Sequence, residues 1–224
     1  MKVLILHQHY KTPASGGAIR SYYLAQALAS RGVRVVVMTA HNEKDEHVVS
    51  MGNLEVHYLP VKYDNRFGFA ARSWAFLRYV QKTIQRVSRF RDVDYCYAIS
   101  VPLTVGLAAI WMKKRYRIPF IFEVGDLWPE APIQMGFVNN FFFARSLYAL
   151  EKIIYRSAQS VVALSPSIQS EILNKVPGKT VHMIPNMADC EFYQPTKKDP
   201  ALETRFGVEG KLVVSYIGAV GVAN

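Results

Sequence analysis

The sequence predicts an α/β fold: a doubly wound, mostly parallel sheet with helices on both faces. Two observations carry this. Short runs that are apolar almost without a break, such as "KVLILH" (2–7), "VRVVVMTA" (33–40), "PFIFEV" (119–124) and "SVVALS" (160–165), alternate with longer stretches of helical periodicity. Strands that are apolar on both faces belong to sheets covered on both faces, the usual condition of parallel strands joined by helical crossovers.

The elements follow in order. After the strand at 2–7 comes a loop and helix, "GGAIRSYYLAQALASRG", with Leu24, Ala27 and Leu28 on one face and Gly32 as its stop signal. The strand at 33–40 is β-branched and apolar. "LEVHYLP" (54–60) alternates more and is expected at a sheet edge. A long helix covers about 70–90, then a strand at 93–100 and the helix "PLTVGLAAIWMKKRY". The strand at 119–124 is followed by a helix over 143–157, the strand 160–165, the helix "PSIQSEILNKV" and a strand at 180–186.

At Met187 the texture changes. Residues 187–211 are polar, irregular and proline-bearing, the composition of a linker. "KLVVSYIGAVGVAN" then resembles a strand and glycine turn. The expected organisation is one domain over 1–186, a linker over 187–211, and over 212–224 the first strand and glycine turn of a truncated second domain.

The composition narrows the function. Half of the 224 residues are hydrophobic and 12% are aromatic, enough for a sizeable core and unlike a disordered chain. Cys96 and Cys190 have no metal-ligand spacing, which points to a reducing compartment. The start of the chain lacks the pattern of a secretory peptide. The longest apolar stretch, 101–112, is about half of a membrane span, so a soluble, cytoplasmic protein is expected. The formal net charge of +10 asks for an anionic partner. No nucleic-acid recognition module accompanies it, so nucleic acid is not expected.

In open parallel sheets, ligands bind beyond the carboxyl ends of the strands, where the strand order reverses. Two such ends carry chemistry. In "HQHYKTPASGGAIRS" (7–21), Gly16 and Gly17 precede a helix, where bare backbone and the helix N-terminus can meet an anion, and Arg20 lies one turn in. The plain alternative is a flexible turn. In "IPFIFEVGDLWPEAP" (118–132), Glu123 and Asp126 stand at a strand end as candidate acid/base groups, and Trp128 is placed to stack on a sugar face. The alternatives are that Glu123 pairs with an arginine and that Asp126 caps a helix. The histidines are scattered in sequence; only His7 and His9 form a near-pair, and no metal-ligand cluster is evident.

Four stretches in register, "SGGAIRSYYLAQALASRGVRVVVMT", "FEVGDLWPEAP", "VVALSPSIQSEIL" and "IPNMADCEFYQP", resemble family-four retaining glycosyltransferases of the GT-B fold. The resemblance is closest to bacterial enzymes of lipopolysaccharide, capsule or exopolysaccharide synthesis, and it covers the whole chain. It implies a Rossmann-like domain forming the acceptor side of a two-domain cleft. It implies a nucleotide-sugar donor, a glycan or lipid-linked acceptor and no metal requirement. Gly16 and Gly17 would lie against the donor diphosphate or the acceptor. Asp126 and its neighbours Glu123, Trp128 and Glu130 would face the transferred sugar. Gly218 and Gly221 would begin the other wall of the phosphate pocket.

Two departures stand out. Gly125 replaces the arginine usual in the acidic motif. The E-x7-E pair of the nucleotide-binding domain has no counterpart, so the chain alone is expected to bind donor poorly and to turn over little. The alternative is a non-catalytic half that docks a separately encoded catalytic or membrane partner.

The positive charge has a candidate use. Arg78, Lys82, Arg86 and Arg89 recur at helical spacing; Lys113, Lys114, Arg115 and Arg117 cluster; and three phenylalanines precede Arg145. Basic stripes beside aromatics suit an anionic membrane surface on the inner face of the cell membrane. The plainer alternative is a solvated helix face with core aromatics.

Overall fold

β1 (Lys2–Leu6) lies near the middle of an eight-stranded sheet. The computed structural model describes residues 1–16, 19–191 and 193–216. Its strands are β1, β2 (Arg34–His41), β3 (His47–Met51), β4 (Leu54–Pro60), β5 (Tyr95–Ile99), β6 (Phe120–Val124), β7 (Ser160–Ala163) and β8 (Val181–Met183). Their order is β3-β4-β2-β1-β5-β6-β7-β8, parallel throughout except for the antiparallel β3–β4 pair.

The near-continuous apolar strands sit where they should. Leu4, Ile5, Leu6, Val37, Met38, Phe120 and Phe122 are fully buried. Side chains alternate across the sheet, so Val3 and Ile5 enter one core while Leu4 and Leu6 enter the other. The first core is closed by α1 (Arg20–Ser30), through Ala25 with Tyr22, Leu24 and Leu28. The second is closed by α2 (Phe69–Val87), α3 (Val105–Tyr116), α5 (Phe141–Ser157) and α6 (Pro166–Lys175). A short α4 (Glu130–Gln134) follows β6. The lopsided cover has a topological cause. The chain winds outward from β1 through β2 to β4, then returns to β5 beside β1 and winds the other way. Right-handed crossovers of opposite sense deposit their helices on opposite faces. The reversal between β1 and β5 also opens the crevice where ligands bind in such sheets.

Three expectations need correction. The segment 54–60 is not the edge, because β4 is flanked by β2 and β3. The edge on that side is β3, all of whose residues are exposed, and Gly52 turns the hairpin at φ 57°. The stretch 187–211 is not wholly irregular: it contains α7 (Pro200–Phe206), started by Asp199, whose carboxylate accepts from the Ala201 N–H, and stopped by Gly207 at φ 63°. Residues 212–216 show no strand, and Leu212 and Val214 are more than 90% exposed. A β-branched run forms a strand only when a neighbour pairs with it.

The chain divides into two compact units, Met1–Asn186 and Met187–Asn224. The sheet and all of the site described next belong to the first. In the second, Lys198 hydrogen-bonds the Lys211 carbonyl at 2.7 Å and lies 3.3 Å from Glu203.

Candidate functional site

Glu123 ends the apolar run of β6 and is only 1% exposed. A carboxylate so buried is costly unless it is paired and hydrogen-bonded, and here it is both. Arg20, the first residue of α1, donates from Nε to Oε1 at 3.0 Å and from Nη2 to Oε2 at 3.1 Å. The Tyr97 hydroxyl on β5 donates to Oε2 at 2.5 Å. Burial, reinforced by the Glu123 charge, pushes the Tyr97 phenol far above its ordinary range. Arg20 also donates from Nη1 to the carbonyl of Pro185, at 2.6 Å, and from Nη2 to that of Ile184, at 3.0 Å. The group ties α1, β5, β6 and the segment after β8 into one clasp. Of the two readings the sequence left open for Glu123, the geometry shows the pairing with an arginine, and that arginine is Arg20, the residue expected to reach a phosphate.

Glu130 is likewise committed. It is ion-paired with Lys175, whose ammonium also donates to both oxygens of Glu151 at 2.9 Å, while the Tyr155 hydroxyl donates to Glu151 at 2.8 Å. Burial raises the Glu151 pKa. Burial alone would lower that of Lys175, but its hydrogen bonds to Glu130 and Glu151 hold it above the ordinary value. This network joins α4, α5 and α6 and occupies one oxygen of Glu130, while its Oε2 is buried with no partner among the described residues.

Asp126, two residues beyond β6, is exposed, and no described group pairs with its carboxylate. Trp128 is half-buried, its ring edge-on to Phe76 at 6.3 Å, so part of its face is spent on packing. Gly125 has room for a side chain: a Cβ there would meet only the Ser100 carbonyl oxygen at 3.5 Å and Leu164 at 3.8 Å. Gly16 is exposed at φ 66°, ending the 3-10 turn Pro13–Ser15. Gly17, Gly218 and Gly221 lie outside the described residues.

A cavity of about 710 Å³ opens at the carboxyl edge, on the β1, β2 and β4 side of the reversal. The loop after β1 supplies Gln8, His9, Lys11, Thr12 and Ser15; the end of β2 supplies His41, Asn42 and Glu43; β4 and its loop supply Tyr58, Tyr63, Asp64 and Asn65. Gln8 is 1% exposed, and neither atom of its amide has a hydrogen-bond partner among the described residues. His9 packs on Tyr63 at 4.6 Å. Burial, then the Lys11 charge, lowers its pKa to about 4, and burial, then His9, lowers that of His7 to about 3, so both rings are neutral at pH 7. His7 Nδ1 lies 2.7 Å from the Ser21 hydroxyl. The lining mixes flat rings with amide, hydroxyl, carboxylate and ammonium groups.

Residues 8–12 and Ser15 of the loop after β1 line the cavity, but Gly16 and Arg20, the described residues singled out there in the sequence, are not among its lining residues. Nor are Asp126, Trp128 and Glu130. The contributions of β2 and β4 were missed, although residues just past two apolar strands were a usable signal.

A model of the glycosyl transferase 4-like domain matches residues 15–187. The chain belongs to that family. Among curated proteins no match was found. Solved structures agree on the fold. Sucrose-phosphate synthase from Thermosynechococcus elongatus superposes with a TM-score of 0.67 at 14% identity, over 92% of this chain and 52% of that one. HepE from Anabaena, in complex with UDP and glucose, gives 0.56 at 18% identity, over 92% and 50%. Trehalose-6-phosphate synthase from Burkholderia multivorans gives 0.51 at 11%, over 79% and 42%. The chain therefore spans about half the length of these proteins. Its sheet is the Rossmann-like α/β domain of GT-B glycosyltransferases.

Proposed function

We propose that this chain is the acceptor-side half of a retaining glycosyltransferase that moves a sugar from a nucleotide-diphosphate donor to a glycan or lipid-linked acceptor in cell-surface polysaccharide synthesis. The observation that carries this is the cavity at the carboxyl edge. In a domain of this family, rings from Tyr58, Tyr63 and His9 beside Gln8, Asn42 and Asn65 suit a sugar, which offers flat C–H faces for stacking and hydroxyls for hydrogen bonds. HepE, which shares the fold, was solved with UDP and glucose and with UDP-glucose, which supports a nucleotide-sugar donor.

Sugar transfer from a diphosphate develops positive charge on the sugar and negative charge on the leaving phosphate. The glycine loop just ahead of α1 is the part of this chain that the family resemblance sets against the phosphate, although the Gly16 N–H itself donates to the Pro13 carbonyl at 3.3 Å. Asp126, whose carboxylate is exposed and unspent, is suited to the sugar or the acceptor hydroxyl. No metal is assigned to this step.

An anionic membrane surface completes the reading. Phe141 and Phe142 are 70% and 79% exposed at the start of α5, and Phe143 meets Phe69 of α2 edge-on at 6.4 Å. Trp74 and Leu77 continue the apolar surface along α2, with Arg78 and Arg145 exposed nearby in sequence. Aromatics flanked by arginines are what a peripheral protein presents to an anionic bilayer. Arg86 is not part of this surface, since it pairs with Glu46 at 2.7 Å. No described helix is long and apolar enough to cross a membrane. Such contact would bring a lipid-linked acceptor to the cavity on the cytoplasmic side.

The reading is tested by calorimetric titration of the chain with glucose, simple disaccharides and UDP-glucose. A saccharide is expected to bind in the millimolar range or tighter and to be weakened about tenfold or more by Tyr63→Ala. Absence of binding by every saccharide, or undiminished binding by Tyr63→Ala, would overturn it.

A further inference from the structure

We propose that His41, Glu43 and His47 form a site for one divalent transition-metal ion of the zinc class at the rim of the cavity. In sequence the three are unremarkable histidines and an acid in a polar loop. The fold gathers them: His41 ends β2, Glu43 sits in the turn, and His47 starts β3, which doubles back beside β4. One ligand atom from each lies within 4.8 Å of the others.

The surroundings fix the two rings. His47 stacks on Tyr58 at 4.5 Å with planes 15° apart, and His41 stands perpendicular to His47 at 4.8 Å. The His41 side chain is 11% exposed, and both of its ring nitrogens are buried without a hydrogen-bond partner among the described residues. Backbone groups of Tyr58 and Asp45 face the ring and favour its charged form, but they do not reach hydrogen-bond geometry. A buried imidazole with no partner is costly, and coordination through one nitrogen relieves that cost. Glu43 Oε2 stands 4.0 Å from His41 Nδ1, too far for a hydrogen bond. Ligands on a tetrahedral ion with bonds of about 2.0–2.1 Å stand about 3.3 Å apart. The mostly exposed Glu43 side chain can close that difference by rotation.

Two imidazoles and one carboxylate favour Zn²⁺, Co²⁺ or Ni²⁺ over Mg²⁺ and Ca²⁺, which prefer all-oxygen shells. Three protein ligands leave a coordination position for water or for an anionic group held in the cavity, which His41 and Glu43 also line. The ion would staple the β2–β3 turn at the exposed edge of the sheet. This inference does not rest on the transferase reading.

The test is competition between the untagged full chain and a chromophoric chelator for Zn²⁺, with Co²⁺ absorption as a second readout. One ion per chain is expected, with a dissociation constant in the micromolar range or tighter. A visible Co²⁺ band is expected, with no competition from excess Mg²⁺. His47→Ala and Glu43→Gln, both at exposed positions, are expected to weaken binding about tenfold or more while leaving the metal-free melting curve unchanged. Cys190→Ser and His182→Ala, both at exposed positions outside the cavity, are expected to bind as the parent does. Absence of saturable Zn²⁺ binding below roughly 100 μM, or equal affinity in His47→Ala, would overturn the proposal.

Discussion

Removing one partner of the Arg20–Glu123 pair leaves the other charge buried with nothing to neutralise it, a loss of about 3–5 kcal/mol in comparable sites. Arg20→Ala and Glu123→Ala are each expected to lower the unfolding free energy by that much. The double substitution Arg20→Met with Glu123→Leu is expected to recover most of it, read by urea unfolding. If single and double variants unfolded like the parent, the clasp would not be structural. The pairing was not legible beforehand, because its members stand 103 residues apart and only the fold brings them together. What was legible was the alternative itself: an acid at the end of a buried strand is either used or paired. Asp126, three residues on, has no such partner among the described residues and keeps its candidacy.

Where elements meet, one position carries a sharp constraint. A Cβ at Gly106 of α3 would lie 2.6–2.8 Å from three side-chain atoms of Ile154 of α5, closer than side-chain carbons pack. Gly106→Ala is therefore expected to destabilise by about 1–3 kcal/mol, despite the better helix propensity of alanine. In an Ile154→Ala background the same change is expected to cost less, a coupling that a double-mutant cycle on melting temperature measures directly. Most helices and strands were readable from periodicity within a few residues, because their apolar faces are continuous. β3 was not, because "HVVSM" is exposed at every position and leaves no half-buried pattern, although Gly-Asn between two β-branched runs is a hairpin signal. α7 was hidden in a polar stretch where only its Asp-Pro start and glycine stop mark it.

For the whole molecule, strand order was the feature the sequence could not supply, and it decides where the ligand goes. The reversal between β1 and β5 places the loop after β1 in one wall with the ends of β2 and β4, and the acidic motif after β6 on the other side of the switch. The aromatic start of α5 gives an expectation at the same scale. Phe141→Ser with Phe142→Ser is expected to abolish flotation with anionic liposomes without lowering the melting temperature, since both side chains are exposed. Equal flotation by the variant would remove the membrane from the account. The claim on which the rest depends is that the cavity beyond β1, β2 and β4 holds the sugar-bearing ligand. The most direct measurement is amide chemical-shift mapping of the chain during titration with UDP-glucose and saccharides. The account predicts shifts clustered at Gln8, Asn42, Tyr58 and Tyr63; saturable shifts centred instead on the Arg20–Glu123 clasp, with the cavity residues silent, would contradict it.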